Sequence, residues 1–198
     1  MTRTENGDVQ TVCVPRADDV RPAQARLVAV VGPSGVGKDS LIAAMVAARP
    51  ILRVARRCVT RPEEAGGEPF EGIGRAEFEM RRDAGAFALH WEAHGLLYGI
   101  PEDELRGGGD VLANLSRGVL AEAARLFPGL VVLSVCAPPE VVEARLRARG
   151  REDAGDVARR LARAAPPPPE SVRVVAVDNG GALQDAASAA LAALEAAP

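Results

Sequence analysis

The chain has 198 residues, of which 47% are hydrophobic, 26% charged and only 3% aromatic. That length fits one domain with an alanine-rich core, burying roughly 70% of its unfolded surface. A net charge of −3 argues against a general binder of nucleic acid or of anionic membranes, and no run approaches the ~20 apolar residues of a membrane span.

In chain order, residues 1–25 are polar and contain proline, lack the apolar centre of a secretory signal, and are expected to be a flexible extension. Residues 26–198 are expected to form a single domain. RLVAVVG is a short buried strand and KDSLIAAMVAA a helix opened by a glycine loop. ILRVARRCVT reads as a second strand ending in an arginine cluster. RPEEAGGEPFEGIG, rich in glycine and proline, reads as loop. RAEFEMRRDAG suits a short helix with Gly85 just past its end. AFALHWEAHGLLYG gives two short strands about a turn at Gly95, followed by a helix over PEDELRG. DVLANLS is a buried strand leading into the helix RGVLAEAARLF. GLVVLSVCA is a strand and PPEVVEARLRARG a helix with proline in its first turn. A helix over AGDVARRLARA, a PPPP linker, the strand SVRVVAV and an Ala/Leu helix close the chain. Strand and helix alternate throughout. That pattern predicts an α/β fold with a parallel five-stranded sheet covered by helices on both faces.

Cys13, Cys58 and Cys136 are far apart and form no C-x-x-C, which points to reduced thiols in a cytoplasmic protein. His90 and His94 are four apart, but HWEAH is not H-E-x-x-H and lies in a predicted strand, so zinc is disfavoured. Arg145, Arg147 and Arg159 read as solvated surface, and Glu68 and Glu71 as solvated loop residues.

The stretch GPSGVGK carries the chemistry. Glycines at 32, 35 and 37 let backbone N–H groups turn inward around phosphate oxygens, and the following helix adds partial positive charge. Lys38, the single lysine of the chain, reaches the outer phosphates. Pro33, Ser34, Val36, Asp39 and Ser40 complete this nucleotide-binding candidate. Asp39 occupies a slot usually held by the hydroxyl that meets magnesium, and two readings stay open. In one it merely favours the helix dipole while Ser40 or water serves the metal. In the other its carboxylate approaches the ion. A bare anion beside a triphosphate is repelled unless a cation lies between them, which favours the second.

Further motifs follow in order: RCVTR (Arg57 to Arg61), WEAHGLLYG (Trp91 to Gly99), VLANLSR (Val111 to Arg117), and RLRARGRE with ARRLARA. From about residue 27 to 195 the chain resembles the guanylate-kinase-like branch of the nucleoside-monophosphate kinases. That resemblance implies an acceptor-binding region at about 57–100 containing Thr60, Arg61 and Tyr98. It also implies a lid at about 149–160 whose Arg149 and Arg160 close over the transferred phosphoryl group. The segment VDNGG, with Asp178 and Asn179, resembles the part bordering the adenine.

The departures are as informative as the matches. Leu89 and Ser116 stand where the two guanine-reading acids are expected, and Glu64 replaces an acceptor arginine. Arg57 stands in place of a serine, and Asn114 in place of an acid at a strand end. A pocket that lost both acids would leave the donors of guanine unpaired. Arginine instead suits a second phosphate. These departures, Asp39 included, resemble the ribose 1,5-bisphosphate phosphokinases of bacterial phosphonate breakdown. The resemblance implies ATP and Mg²⁺ as cofactors and a small sugar bisphosphate as acceptor, held by Arg57, Thr60, Arg61, Tyr98, Ser116 and Arg117, with His94 a further contact. It implies transfer of the ATP γ-phosphoryl group to give 5-phosphoribosyl 1-diphosphate. Two other readings remain: a relaxed nucleoside-monophosphate kinase, disfavoured by Leu89 and Ser116, and an inactive peptide-binding module, disfavoured by the intact glycine loop and lid.

Overall fold

The structure is a computed structural model that describes residues 25–62, 69–148 and 167–196. Residues 1–24 of the expected extension, Cys13 among them, Glu64, Glu68, the helix AGDVARRLARA, Arg159 and the lid arginines Arg149 and Arg160 lie outside the described residues, whereas Ala25, placed in the extension, is buried. The chain divides into two compact units, one spanning Arg56–Glu104 and the other Pro22–Ala55 with Leu105–Pro198.

The larger unit is built on a five-stranded sheet of order β2-β7-β1-β8-β9. Its strands are β1 (Arg26–Val31), β2 (Arg53–Val54), β7 (Asp110–Asn114), β8 (Val131–Cys136) and β9 (Arg173–Asp178), and every pairing is parallel. Helices α1 (Lys38–Ala48), α3 (Leu120–Leu126), α4 (Pro139–Ala148) and α5 (Leu183–Glu195) belong to the same unit. Alternation along β1 sends Val28 and Val30 into a core with Leu41, Ile42 and Met45 of α1, Val142 and Leu146 of α4, and Ala187, Leu191 and Leu194 of α5. Leu27, Ala29 and Val31, on the opposite face, are buried as well. A strand buried on both faces reads as a continuous apolar run, which is why RLVAVV has no polar interruption after its first residue. That first residue is stapled. Arg26 donates from Nε and Nη2 to Asp110 Oδ1 and Oδ2 at 2.7 and 2.8 Å, and from Nη2 to the Leu194 carbonyl at 3.1 Å.

The smaller unit holds a four-stranded sheet of order β4-β3-β6-β5 with helix α2 (Arg75–Asp83). Strands β3 (Arg57–Val59) and β4 (Phe70–Gly72) run parallel, whereas β6 (Leu96–Pro101) is antiparallel to both β3 and β5 (Phe87–Ala93). Its core joins Cys58, Phe78, Phe87 and Leu97, with the rings of Phe78 and Phe87 stacked at 4.6 Å.

Three expectations are corrected. The single strand ILRVARRCVT is two strands in two sheets: Ala55 still donates to the Leu112 carbonyl, but the next N–H, of Arg56, turns to Glu104. The segment read as loop contains β4, too short to declare itself between glycines and prolines. PEDELRG forms only a 3₁₀ turn over Glu102–Leu105.

Candidate active site

Between β1 and α1 the chain turns through Gly32, Pro33, Ser34, Gly35, Val36 and Gly37. The helix starts at Lys38 as the sequence predicts, its first backbone bond running from Leu41 N–H to the Gly37 carbonyl. Gly37 has φ 92°, and a Cβ there would lie 2.5 Å from Nδ2 of Asn179. Gly32 has φ 153°, and its Cβ would lie 2.5 Å from the Val135 carbonyl oxygen. Both positions therefore require glycine, for conformation and for space. Lys38 folds its ammonium over the loop and donates to the carbonyls of Gly32 and Pro33 at 3.0 and 3.1 Å.

Among the described residues two polar side chains are buried, Asn114 and Asn179, the first bonding the helix that follows this loop and the second the loop itself. Asn179, which follows β9, is 1% exposed and donates from Nδ2 to the Val36 carbonyl at 2.8 Å. Arg145 on α4 donates to the same carbonyl from Nη1 at 3.1 Å, and from Nη2 to the Asn179 carbonyl at 2.9 Å. Two donors on one carbonyl hold the Val36 peptide in a fixed orientation, and with it the neighbouring loop amides. This corrects the reading of Arg145 as surface; Arg147, paired with Glu143, fits that reading. No local signal marked Arg145, because its partner Val36 lies 109 positions away in the sequence. Asp178 is exposed and caps its own turn, accepting from Gly180 N–H at 2.8 Å.

Asn114, at the end of β7, donates from Nδ2 to Asp39 Oδ1 at 2.9 Å. A carboxylate only accepts, so the amide nitrogen must face it. Asp39 sits in the first turn of α1 and Ser40 is exposed. No group of three or more His, Cys, Asp or Glu side chains among the described residues is placed to hold a metal. A nucleotide-bound magnesium does not need one, since phosphates and waters supply most of its ligands and one carboxylate suffices from the protein. The glycine cradle that a Cβ would fill, the ammonium and the oriented carboxylate fit a magnesium-nucleotide.

The smaller unit gathers Arg57, Thr60, Arg61 and Tyr98. Pairing of Val59 with Tyr98 brings the arginine strand beside the tyrosine. Thr60 Oγ1 accepts from Leu97 N–H at 2.9 Å, which fixes the turn leading to Arg61. The Arg57 guanidinium lies 5.4 Å from the Tyr98 ring centroid and Arg61 lies 4.3 Å from that of Phe70. Trp91 stacks on the other partner of that pair, Tyr98, at 5.4 Å with 7° between planes. Each guanidinium thus lies over an aromatic ring within cation–π distance, and guanidinium is the side-chain group best suited to phosphate. An open cleft of about 460 Å³ is lined by Thr60, Arg61, Pro62, Ile73, Arg75 and glycines. His94 is exposed on the β5–β6 turn at φ 55°. Leu89 is fully buried. Ser116 and Arg117 belong to the larger unit, Arg117 opening a 3₁₀ turn after β7. Glu71 is corrected from solvated loop to β4: it accepts from the Cys58 thiol at 3.0 Å and pairs with Arg81 at 2.9 Å. Burial first, and then the bond to Glu71, push the Cys58 thiol up to about 12. The bond from Arg81, followed by that from Cys58, holds the Glu71 carboxyl below its ordinary range.

No protein-family model matches the chain. It is, however, 53% identical over 182 residues to ribose 1,5-bisphosphate phosphokinase PhnN of Ruegeria sp. (strain TM1040), covering 90% of this chain and 96% of that protein. The chain belongs to the ribose 1,5-bisphosphate phosphokinase family. A second member, from Agrobacterium fabrum, is 41% identical over 175 residues, with 85% of this chain and 96% of that protein covered. Among solved structures, a guanylate kinase from Anaplasma phagocytophilum aligns with a TM-score of 0.60 at 18% identity, over 89% of this chain and 87% of that one. The chain thus has a guanylate-kinase-like fold, as its loop and parallel sheet predict.

Proposed function

We propose that this kinase transfers the γ-phosphoryl group of ATP to ribose 1,5-bisphosphate, giving 5-phospho-α-D-ribose 1-diphosphate and ADP. The observation that carries this reading is the 53% identity sustained over 90% of the chain. The donor loop and the cluster of Arg57, Arg61 and Tyr98 supply chemistry that agrees with it.

In the reaction an oxygen of the 1-phosphate forms a bond to the γ-phosphorus while the bond from that phosphorus to the β,γ-bridging oxygen breaks. The acceptor oxygen is already anionic, so no general base is assigned; positioning and charge neutralisation do the work. Lys38 and the backbone N–H groups of Ser34–Gly37 hold the donor phosphates, with Gly32 and Pro33 shaping the turn. Asp178 and Asn179 border the adenine, Asn179 also fixing the loop. Arg57, Thr60, Arg61 and Tyr98 hold acceptor phosphates; Ser116, Arg117 and His94 are assigned to the acceptor by resemblance alone. Arg149 and Arg160 are assigned by resemblance to the γ-phosphoryl group, whose charge spreads in the transition state. Bound magnesium would withdraw charge from the β- and γ-phosphates, and Asp39 is the residue that would hold it. Among the described residues no helix is long and apolar enough to cross a membrane. Charged metabolites as substrates and thiols without a disulfide pattern are consistent with a cytoplasmic location.

Phosphorus NMR of ATP mixed with ribose 1,5-bisphosphate tests the proposal directly. A new diphosphate doublet attached to ribose is expected, while GMP in parallel stays unphosphorylated. Turnover of GMP without turnover of the bisphosphate would overthrow it.

A further inference from the structure

The mechanism leaves one buried polar side chain without a task. Asn114 is 9% exposed, ends β7 opposite Val30 of β1, and directs its amide nitrogen at the Asp39 carboxylate from 2.9 Å. An amide is costly to bury unless its hydrogen bonds are made, so its place at this strand end requires a compensating partner. An apolar residue would fill the same space without that cost.

Resting on the assignment of Asp39 to magnesium, we propose that Asn114 is a positioning residue for the metal, acting through Asp39. The chemistry follows from the donor. A neutral N–H donor takes one carboxylate oxygen, restricts rotation about the side-chain bonds, and leaves the full negative charge on Asp39. An arginine or lysine there would cancel the charge that the metal needs; a carboxylate would repel it. A flexible aspartate on the first turn of a helix must otherwise lose side-chain freedom when the ion binds, and Asn114 removes that cost in advance. The metal-facing charge then sits on the loop helix and its neutral holder on the strand, an arrangement that is reversible in principle. Exchanging the two residues keeps the hydrogen bond and moves the charge by about one hydrogen-bond length.

The test is calorimetry of ATP binding to the full chain, with Mg²⁺ and with EDTA in its place, without any acceptor. The readout is the ratio of the two affinities, so it stands independently of which sugar phosphate is the substrate. Asn114→Ala is expected to lower that ratio about tenfold while the affinity for metal-free ATP holds. Asn114→Leu, close in size and lacking a donor, gives the same result if the smaller variant does not fold. Asp39→Asn alone abolishes the Mg²⁺ enhancement, and Asp39→Asn with Asn114→Asp recovers it at least tenfold over that single variant. A ratio equal to that of the parent in the Asn114 variants, with only the thermal midpoint lowered, would make Asn114 a purely structural residue and end the proposal. Failure of the exchanged pair to recover would end it equally.

Discussion

Lys38 reaches back over the loop and bonds the Gly32 and Pro33 carbonyls, holding an ammonium where donor phosphates are expected. Replacing it by Met removes a charge-assisted contact of about 1.5–3 kcal/mol, so kcat/KM should fall roughly 10- to 150-fold or more, while the two lost loop bonds lower the thermal midpoint by only a few degrees. Steady-state kinetics beside a melting curve would check both halves. Cys58 behaves oppositely to a reactive thiol. In the fold it is pushed up to about 12 from its ordinary value of 9.0. Between those values the unfolded chain releases the proton first, so this contribution is complete below pH 9 and fades as the pH climbs toward 12. Denaturant midpoints across that range should therefore drop more steeply for the parent than for Cys58→Ser. A maleimide probe at neutral pH should label exposed Cys136 and spare buried Cys58. At this scale the sequence announced Lys38 and its glycines, because local spacing carries their geometry. It hid Arg145, whose task depends on a partner 109 positions away, while Asn114 stood out only as a departure from the expected acid.

At the level of elements, the loop-to-helix joint and the staple on β1 set the stability of the larger unit. Gly37→Ala puts a Cβ against the Asn179 amide in a left-handed conformation. A loss of about 1–3 kcal/mol is expected, together with weaker ATP binding, and chemical denaturation and calorimetry would register the two. Arg26→Met breaks a bidentate ion pair and a bond to the carboxyl end of α5, and should cost about 2 kcal/mol in the same denaturation assay. Helix α1 was legible to the residue, since glycines end where its apolar periodicity begins. The break between β2 and β3 was not. Val54 and Cys58 have the same strand-forming character, and nothing local tells which sheet will accept the next N–H.

For the whole molecule, the roles proposed for the two units are separable by kinetics. Arg61→Met, in the Arg56–Glu104 unit, should raise the KM for the acceptor at least tenfold and leave ATP affinity in calorimetry alone; an equal loss in both would count against the assignment. Removal of magnesium with EDTA should stop transfer, and its restoration should return it. Motif order along the chain was enough to reveal the family, because four short patterns in one sequence constrain it more than any single one. In the smaller unit the hairpin of β5 and β6 about Gly95 was legible, whereas its non-local pairing with the three-residue strands β3 and β4 was not. The brace on the phosphate loop also bears on how the protein is made. Val36 and Asn179 are 143 positions apart, so a growing chain emerges with its nucleotide loop long before the side chain that fixes it. Until the last strand is synthesised and docked, the ribosome carries a kinase that has yet to acquire its grip on nucleotide.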